Sequence, residues 1–376
     1  MKANLLLLLV LLAGALPLAA TEGPPVTNFE KKISETFAIS ADGNVRLSNR
    51  YGEIKVSTWS QNQVRVNVLI SVDARDEDDF RDVLDRIDIN LSGGGSSVSA
   101  VTSIESGRRS DSWWNLFTNG SGSNDFKIYY DVTLPASVRL EVDARYCDVQ
   151  LPSLTGETYL DVAYGDLVAA RLSNRAEMDI SYGSARVDRI GDNSTVKMRY
   201  SEGTIREGGD LRYDGRYSEI RLGKVGNLSL DIGYEEVEVE SAREIRLDGN
   251  YNELSVDEAT EVYLDGNYTD INLGTITHHI DFRGNYGDLR VRRLAAGFEA
   301  VKIDANYSDI EIDVDEDAGY ILDLSSRYGD ISAPTSDLSP RDINREGSSE
   351  SVRGTKAGKG SGKITISTNY GDIEIF

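Results

Sequence analysis

The chain has 376 residues, 63 acidic against 40 basic, a formal charge of -23 and a single cysteine. So acidic a chain speaks against nucleic-acid binding and against adsorption to anionic lipid, because both need concentrated positive charge. The lone Cys147 excludes an internal disulfide framework and lies far from any lipid-anchor position.

Lys2, the leucine run from Leu5 to Leu12 and the small residues through Ala19 and Ala20 predict a secretory signal peptide over residues 1–20. No later segment is apolar enough to predict a membrane-spanning helix. The expectation is an exported protein, periplasmic, outer-surface or extracellular.

Residues 28–135 read as a first coil followed by a β-α-β cap. Val45, Leu47, Tyr51, Glu53, Ile54 and Val56 form a repeat-like unit, and Val64 to Val72 alternate as a long strand. Phe80, Val83, Leu84 and Ile87 fall at helical spacing after the acidic run Asp76 to Asp79, where a helix dipole favours negative charge. A polar loop near 105–124 carries Trp113, Trp114, Leu116 and Phe117. These aromatics either tuck onto the cap or form a contact patch for a partner, a glycan or a membrane surface.

Residues 136–333 carry the dominant signal. Tyr146, Tyr164, Tyr182, Tyr200, Tyr217, Tyr234, Tyr251, Tyr268 and Tyr286 recur every 17 or 18 residues. Tyr307 and Tyr328 continue at 21, Tyr370 follows after 42, and Tyr51 stands 95 upstream. Apolar residues alternate on both sides of each tyrosine, which is the strand period, and their parity changes just after it. That change predicts a corner at the Asn-Tyr-Gly-Asp step, with Gly, Ser and Asn supplying turn chemistry. An apolar residue eight places after tyrosine (Leu154, Leu172, Ile190) suggests a third short side.

The predicted fold is all-β: a single-stranded β-helix, or β-solenoid, of 17–21-residue coils with an N-terminal β-α-β capping segment. Two ladders would run along it, one of the tyrosines and one of Asn250, Asn267, Asn285 and Asn306. Residues 334–362, rich in Ser, Gly, Arg and Lys, read as a flexible loop, and 363–376 as a final coil.

An acid stands two places after tyrosine in twelve of thirteen repeats, from Glu53 and Asp148 to Asp330 and Asp372, with Ser184 the exception. Carboxylates one rung apart repel by about 0.9 kcal/mol per pair in water, so something must offset them. Arg50, Arg145, Arg199, Arg216 and Arg327, three residues before their acids, are one candidate, and backbone N–H donors at the turn are another. Calcium held by Glu253, Asp270, Asp288 and Asp309 is a third reading, although the nonapeptide of calcium-binding β-rolls is missing.

No catalytic motif stands out. His278 and His279 are adjacent, and the acids recur with the fold's own period where catalysis would need one rung to differ. No catalytic, cofactor-binding or metal residue is assigned, and no cofactor is expected.

The steps Asn49-Arg50-Tyr51-Gly52-Glu53-Ile54, Ala163-Tyr164-Gly165-Asp166-Leu167, Asn285-Tyr286-Gly287-Asp288-Leu289 and Asn369-Tyr370-Gly371-Asp372-Ile373 carry a family likeness. Through them the chain resembles a secreted family of candidate adhesins with β-strand repeats, common in Bacteroidetes-type bacteria and related to the head domain of autotransporter-like adhesins. The resemblance covers residues 28–376 and implies a non-enzymatic binding or envelope-scaffold role toward an unidentified surface ligand, protein or glycan. The reading from another class is a carbohydrate-active β-helix enzyme, a polysaccharide lyase or hydrolase.

Overall fold

The computed structural model describes residues 26–105 and 125–376, so residues 1–20, where the sequence predicts a signal peptide, and the cluster Trp113, Trp114, Leu116, Phe117 lie outside the described residues. Almost everything described is strand. One eight-residue helix, Glu77–Leu84, is capped by the Asp76 carboxylate, which accepts from the N–H groups of Asp78 and Asp79.

The tyrosine repeat is expressed as parallel pairing between segments one repeat apart. Thr195 pairs with Glu177 on one side and with Arg212 on the other, offsets of 18 and 17 residues. Each rung has a first side ending at tyrosine, such as Thr158–Ala163, Ala176–Ser181 and Ser194–Arg199, and a second side beginning just after it, such as Asp166–Leu172, Ser184–Ile190 and Glu202–Gly208. Alternate residues of both sides point inward and are buried, as Leu160 and Val162, then Leu167 and Ala169. Parity slips again before Leu172, which is buried while Arg171 is exposed, so the chain bends there too.

The corner itself is made by tyrosine. All thirteen repeat tyrosines have φ between 52 and 63°, the left-handed region. Neither Asn250, Asn267, Asn285 or Asn306 before them nor the glycines after them adopt it. This corrects the expectation that Gly, Ser and Asn would supply the turn. A left-handed L-residue costs about 1–2 kcal/mol, and what offsets it here is the stacking of each ring on its neighbours. The following glycine instead permits close approach between rungs, since a Cβ on Gly287 would lie 2.2 Å from the Thr269 carbonyl oxygen of the preceding rung.

At the N-terminal end the first rung, around Tyr51, pairs in parallel with Arg139–Leu151 on one side. On the other, Asp125–Pro135 runs parallel to its second side, and Gln63–Ala74 pairs antiparallel to that strand. Thr27–Ala38 then closes antiparallel on Gln63–Ala74. A buried polar cluster joins these layers: the Asn49 amide donates to the Ile128 carbonyl at 2.7 Å, and Thr102 Oγ1 lies 3.0 Å from Asn49 Oδ1 and 2.8 Å from the Tyr130 hydroxyl. Cys147 is buried beside it, its thiol pushed up to about 12 by desolvation.

The C-terminal end departs from the sequence reading in two ways. Residues 334–362 are not a plain flexible loop: Leu338–Glu346 and Ser349–Lys356 form an antiparallel hairpin, whose second strand pairs antiparallel with Ala318–Arg327. The residues 363–376 do not form the last coil. Lys359–Asn369 lies between Ala300–Asn306 and Ala318–Arg327, parallel to both. The chain therefore lays down the Tyr328 rung one position ahead, and the Tyr370 segment fills the gap behind it.

Candidate functional site: the tyrosine and carboxylate stripe

With every corner left-handed, the tyrosine side chains project from one edge of the rod. The thirteen rings form a continuous stack from Tyr51 through Tyr307, Tyr370 and Tyr328, with centroids 4.6–5.3 Å apart and planes within 10°. Twelve of them are 39–52% exposed. Since each ring face covers the next, what solvent meets is ring edges and phenolic hydroxyls, not a set of open aromatic platforms.

Beside the rings runs the asparagine ladder. Asn267 donates to Asn250, Asn285 to Asn267 and Asn306 to Asn285 at 2.7–3.0 Å, and Asn369 extends it by donating to Asn306 at 2.7 Å.

On the other flank stand the acids two places after tyrosine, and they behave in two ways. Asp148, Asp166, Asp270, Asp288, Asp309 and Asp372 each accept the N–H of the corresponding residue in the next rung at 2.8–3.2 Å. Such charge-assisted bonds offset the repulsion along the column. Glutamate is one methylene longer, and the same N–H groups of Glu202, Glu219, Glu236 and Glu253 instead donate to backbone carbonyls one rung back at 2.9–3.2 Å. Four consecutive rungs thus carry carboxylates released from the backbone.

The arginines do not compensate this column. Arg145 pairs with Asp161 and Asp143, Arg199 with Asp214, and Arg216 with Asp231 and Asp214. Arg327 lies over the Tyr328 ring at 5.2 Å. Their partners form a second acidic column three places before tyrosine, missed in the sequence although Asp143, Asp161, Asp179, Asp214, Asp231 and Asp248 recur there at the same period. As for calcium, Asp270, Asp288 and Asp309 stand one per rung, each turned to the next rung's N–H. Among the described residues no three His, Cys, Asp or Glu side chains gather closely enough to hold a metal ion. His278 meets Glu299 at 2.9 Å, while His279 stacks on Tyr263 at 5.1 Å, so the two serve different contacts.

Behind the glutamate rungs lies an inward polar relay, also unread in the sequence. The Ser201 N–H donates to Ser218 Oγ, the Ser218 N–H to Glu235 Oε1, and the Glu235 N–H to Asn252 Oδ1, at 2.9–3.1 Å. Glu235 is buried, and the Tyr213 hydroxyl donates to its Oε2 at 2.7 Å. Burial raises its pKa from 4.5 to about 7, against the opposing pull of Tyr213, the Ser218 N–H, Arg199 and Arg216.

The architecture and stripe define an all-β repeat protein with a solenoid-like domain. Residues 103–376 match the family described as Toastrack DUF4097, and the chain belongs to that family. Among curated proteins none matches. The chain is similar to a candidate cell adhesion protein from Clostridium sporogenes (10% identity, 92% of this chain and 99% of that one, TM-score 0.22). It is also similar to a candidate adhesin from Parabacteroides distasonis (14%, 77% and 98%, TM-score 0.28) and to a candidate lipid-binding protein from the same organism (12%, 75% and 96%, TM-score 0.28). At these scores the likenesses carry nothing about activity.

Proposed function

We propose that the chain is a non-enzymatic binding protein of the cell envelope, adhesin-like or a scaffold, built as a single-stranded β-helix of 17–21-residue coils with an N-terminal β-α-β cap. The observation that carries this is the stripe of half-exposed tyrosines flanked by carboxylates, repeated rung after rung. Such a surface offers many weak, identical contacts along a rod, which suits avid attachment to an extended partner. It does not single out one rung, as bond cleavage between two carboxylates would require. Export rests on the proposed signal peptide over residues 1–20; among the described residues no helix is long and apolar enough to cross a membrane.

Fractionation of the native cells, followed by binding of the purified protein to the envelope fraction and a polysaccharide-degradation assay, tests the reading. Saturable binding without turnover is expected. Turnover abolished by a single acidic substitution overturns it. Trp113, Trp114, Leu116 and Phe117 are a proposed second contact: Trp113→Ala/Trp114→Ala is expected to weaken binding with an unchanged melting temperature, and lowered melting with unchanged binding contradicts that role.

A further inference from the structure

We propose that the groove along Tyr200, Tyr217 and Tyr234 binds a linear, cationic, β-1,4-linked amino-sugar chain lying parallel to the rod axis, one sugar ring per rung. This rests on reading the chain as a binding protein and adds its ligand class. The groove has a volume of about 580 Å³, with those three phenol edges and the carboxylates of Glu202, Glu219, Glu236 and Glu253 among its lining. It coincides with the four rungs in which the acid is released from the backbone.

The charges there are unevenly compensated. Glu219 forms a close ion pair with Arg221. Glu202 and Glu236, the rungs on either side of it, make no salt bridge and no side-chain hydrogen bond among the described residues. Glu253, one rung beyond Glu236, makes none either, so of the four acids only Glu219 is paired; a cationic partner complements the rest, with Glu202 and Glu236 two rungs apart.

Spacing decides which polycation fits. Successive rings in the groove are 5.0 and 4.8 Å apart. An extended peptide places same-face side chains every second residue, about 6.8 Å apart, and its third residue, which would reach across two rungs, faces away. An equatorially linked pyranose chain advances by about one ring length per unit, close to one rung. Successive rings are flipped, so the amino groups on one edge recur at every second ring. That brings ammonium groups opposite Glu202 and Glu236, with the ring of the intervening rung turning its amine away from the Arg221-paired Glu219. The sugar C–H edges then rest on phenol edges, and hydroxyls meet the tyrosine hydroxyls. Because the tyrosine faces are occupied by one another, face-on stacking of sugar on aromatic is not used.

The test is isothermal titration calorimetry of the full chain, at low salt and a pH that keeps the amines protonated, with three probes. These are the β-1,4-linked glucosamine hexamer, its fully N-acetylated counterpart and hexalysine. The glucosamine hexamer is expected to bind at least tenfold more tightly than either comparison probe and to weaken as salt is added. Glu202→Gln/Glu236→Gln is expected to lose at least tenfold of that affinity, while Glu258→Gln/Glu316→Gln, which removes two exposed acids outside the groove, changes it less than twofold. Hexalysine or the acetylated hexamer binding as tightly, or unchanged affinity in E202Q/E236Q with a wild-type circular dichroism spectrum, overturns the proposal. A wild-type chain that binds the envelope fraction but not the glucosamine hexamer overturns this inference alone and leaves the binding role standing.

Discussion

The tyrosines are the residues on which the corner depends, and each does two opposed things. Its left-handed backbone costs about 1–2 kcal/mol, and its two ring contacts return about 0.5–1.5 kcal/mol each. Tyr234, stacked on Tyr217 and Tyr251 at 4.8 Å, separates these terms. Tyr234→Ala is expected to destabilise by roughly 1–3 kcal/mol in urea melts, since it keeps the unfavourable backbone and loses both stacks. Tyr234→Gly is expected to be less damaging than Tyr234→Ala by about 1 kcal/mol, because glycine carries no Cβ penalty there. The reverse order would mean that the corner is not left-handed. Glu235 gives the second test at this scale. Its folded-state pKa lies above its ordinary value, so the folded chain holds a proton that the unfolded chain releases. Stability contributed at this site is therefore full below about 4.5 and declines as pH rises toward 7. Glu235→Gln, uncharged at every pH, is expected to gain melting temperature relative to the wild type across that window, and a parallel pair of curves contradicts the buried, neutral carboxyl. The period of the tyrosines was legible in the sequence, but their backbone was not. Local propensity favours Gly or Asn for positive φ, and only contact with the rungs above and below makes tyrosine the better choice.

At the scale of the rung, the sequence showed strands and corners because alternation is a local property of inward and outward side chains. Which polar group satisfies which neighbour was not legible, since the partners are one repeat away and compete. Arg145 and Arg216 have an acid within three residues on either side of their tyrosine, while Arg199, with Lys197 where that earlier acid would stand, passes over the nearby Glu202 for Asp214 of the next rung. Side-chain direction settles the choice in favour of the column before tyrosine, leaving backbone N–H groups to the aspartates. Asp288→Ala is accordingly expected to cost about 1–2 kcal/mol by leaving the Asp309 N–H without its acceptor at 2.9 Å. Glu236→Ala, with no such bond to lose, is expected to change urea stability by less than about 0.5 kcal/mol. Equal effects would show that the aspartate bonds do not hold the column together. Gly287→Ala tests the close approach of successive rungs: its Cβ would meet the Thr269 carbonyl at 2.2 Å, and a loss of roughly 1–3 kcal/mol is expected from the displaced backbone.

For the whole molecule the order of rungs is not the order of sequence. The resemblance and the period made a stacked all-β array legible, but the 42-residue interval before Tyr370 gave no sign that the chain passes ahead and returns. Nothing local encodes that return. The Tyr370 segment is a normal repeat, and the hairpin Leu338–Glu346 with Ser349–Lys356 hides in a Ser-, Gly- and charge-rich stretch with little alternation. Once built, the hairpin covers the edge of Ala318–Arg327 and presents Pro340, Arg341, Asp342 and Arg345 on its own outer strand, residues that discourage further pairing. The central claim is continuous stacking with Tyr370 between Tyr307 and Tyr328. Disulfide trapping measures it directly, because a disulfide needs Cα atoms within about 7 Å and so joins adjacent rungs but not alternate ones. In a Cys147→Ser background, Asn306→Cys/Asn369→Cys is expected to cross-link on mild oxidation, and Asn306→Cys/Arg327→Cys to stay reduced. Cross-linking of the second pair and not the first would place the rungs in sequence order and contradict the architecture.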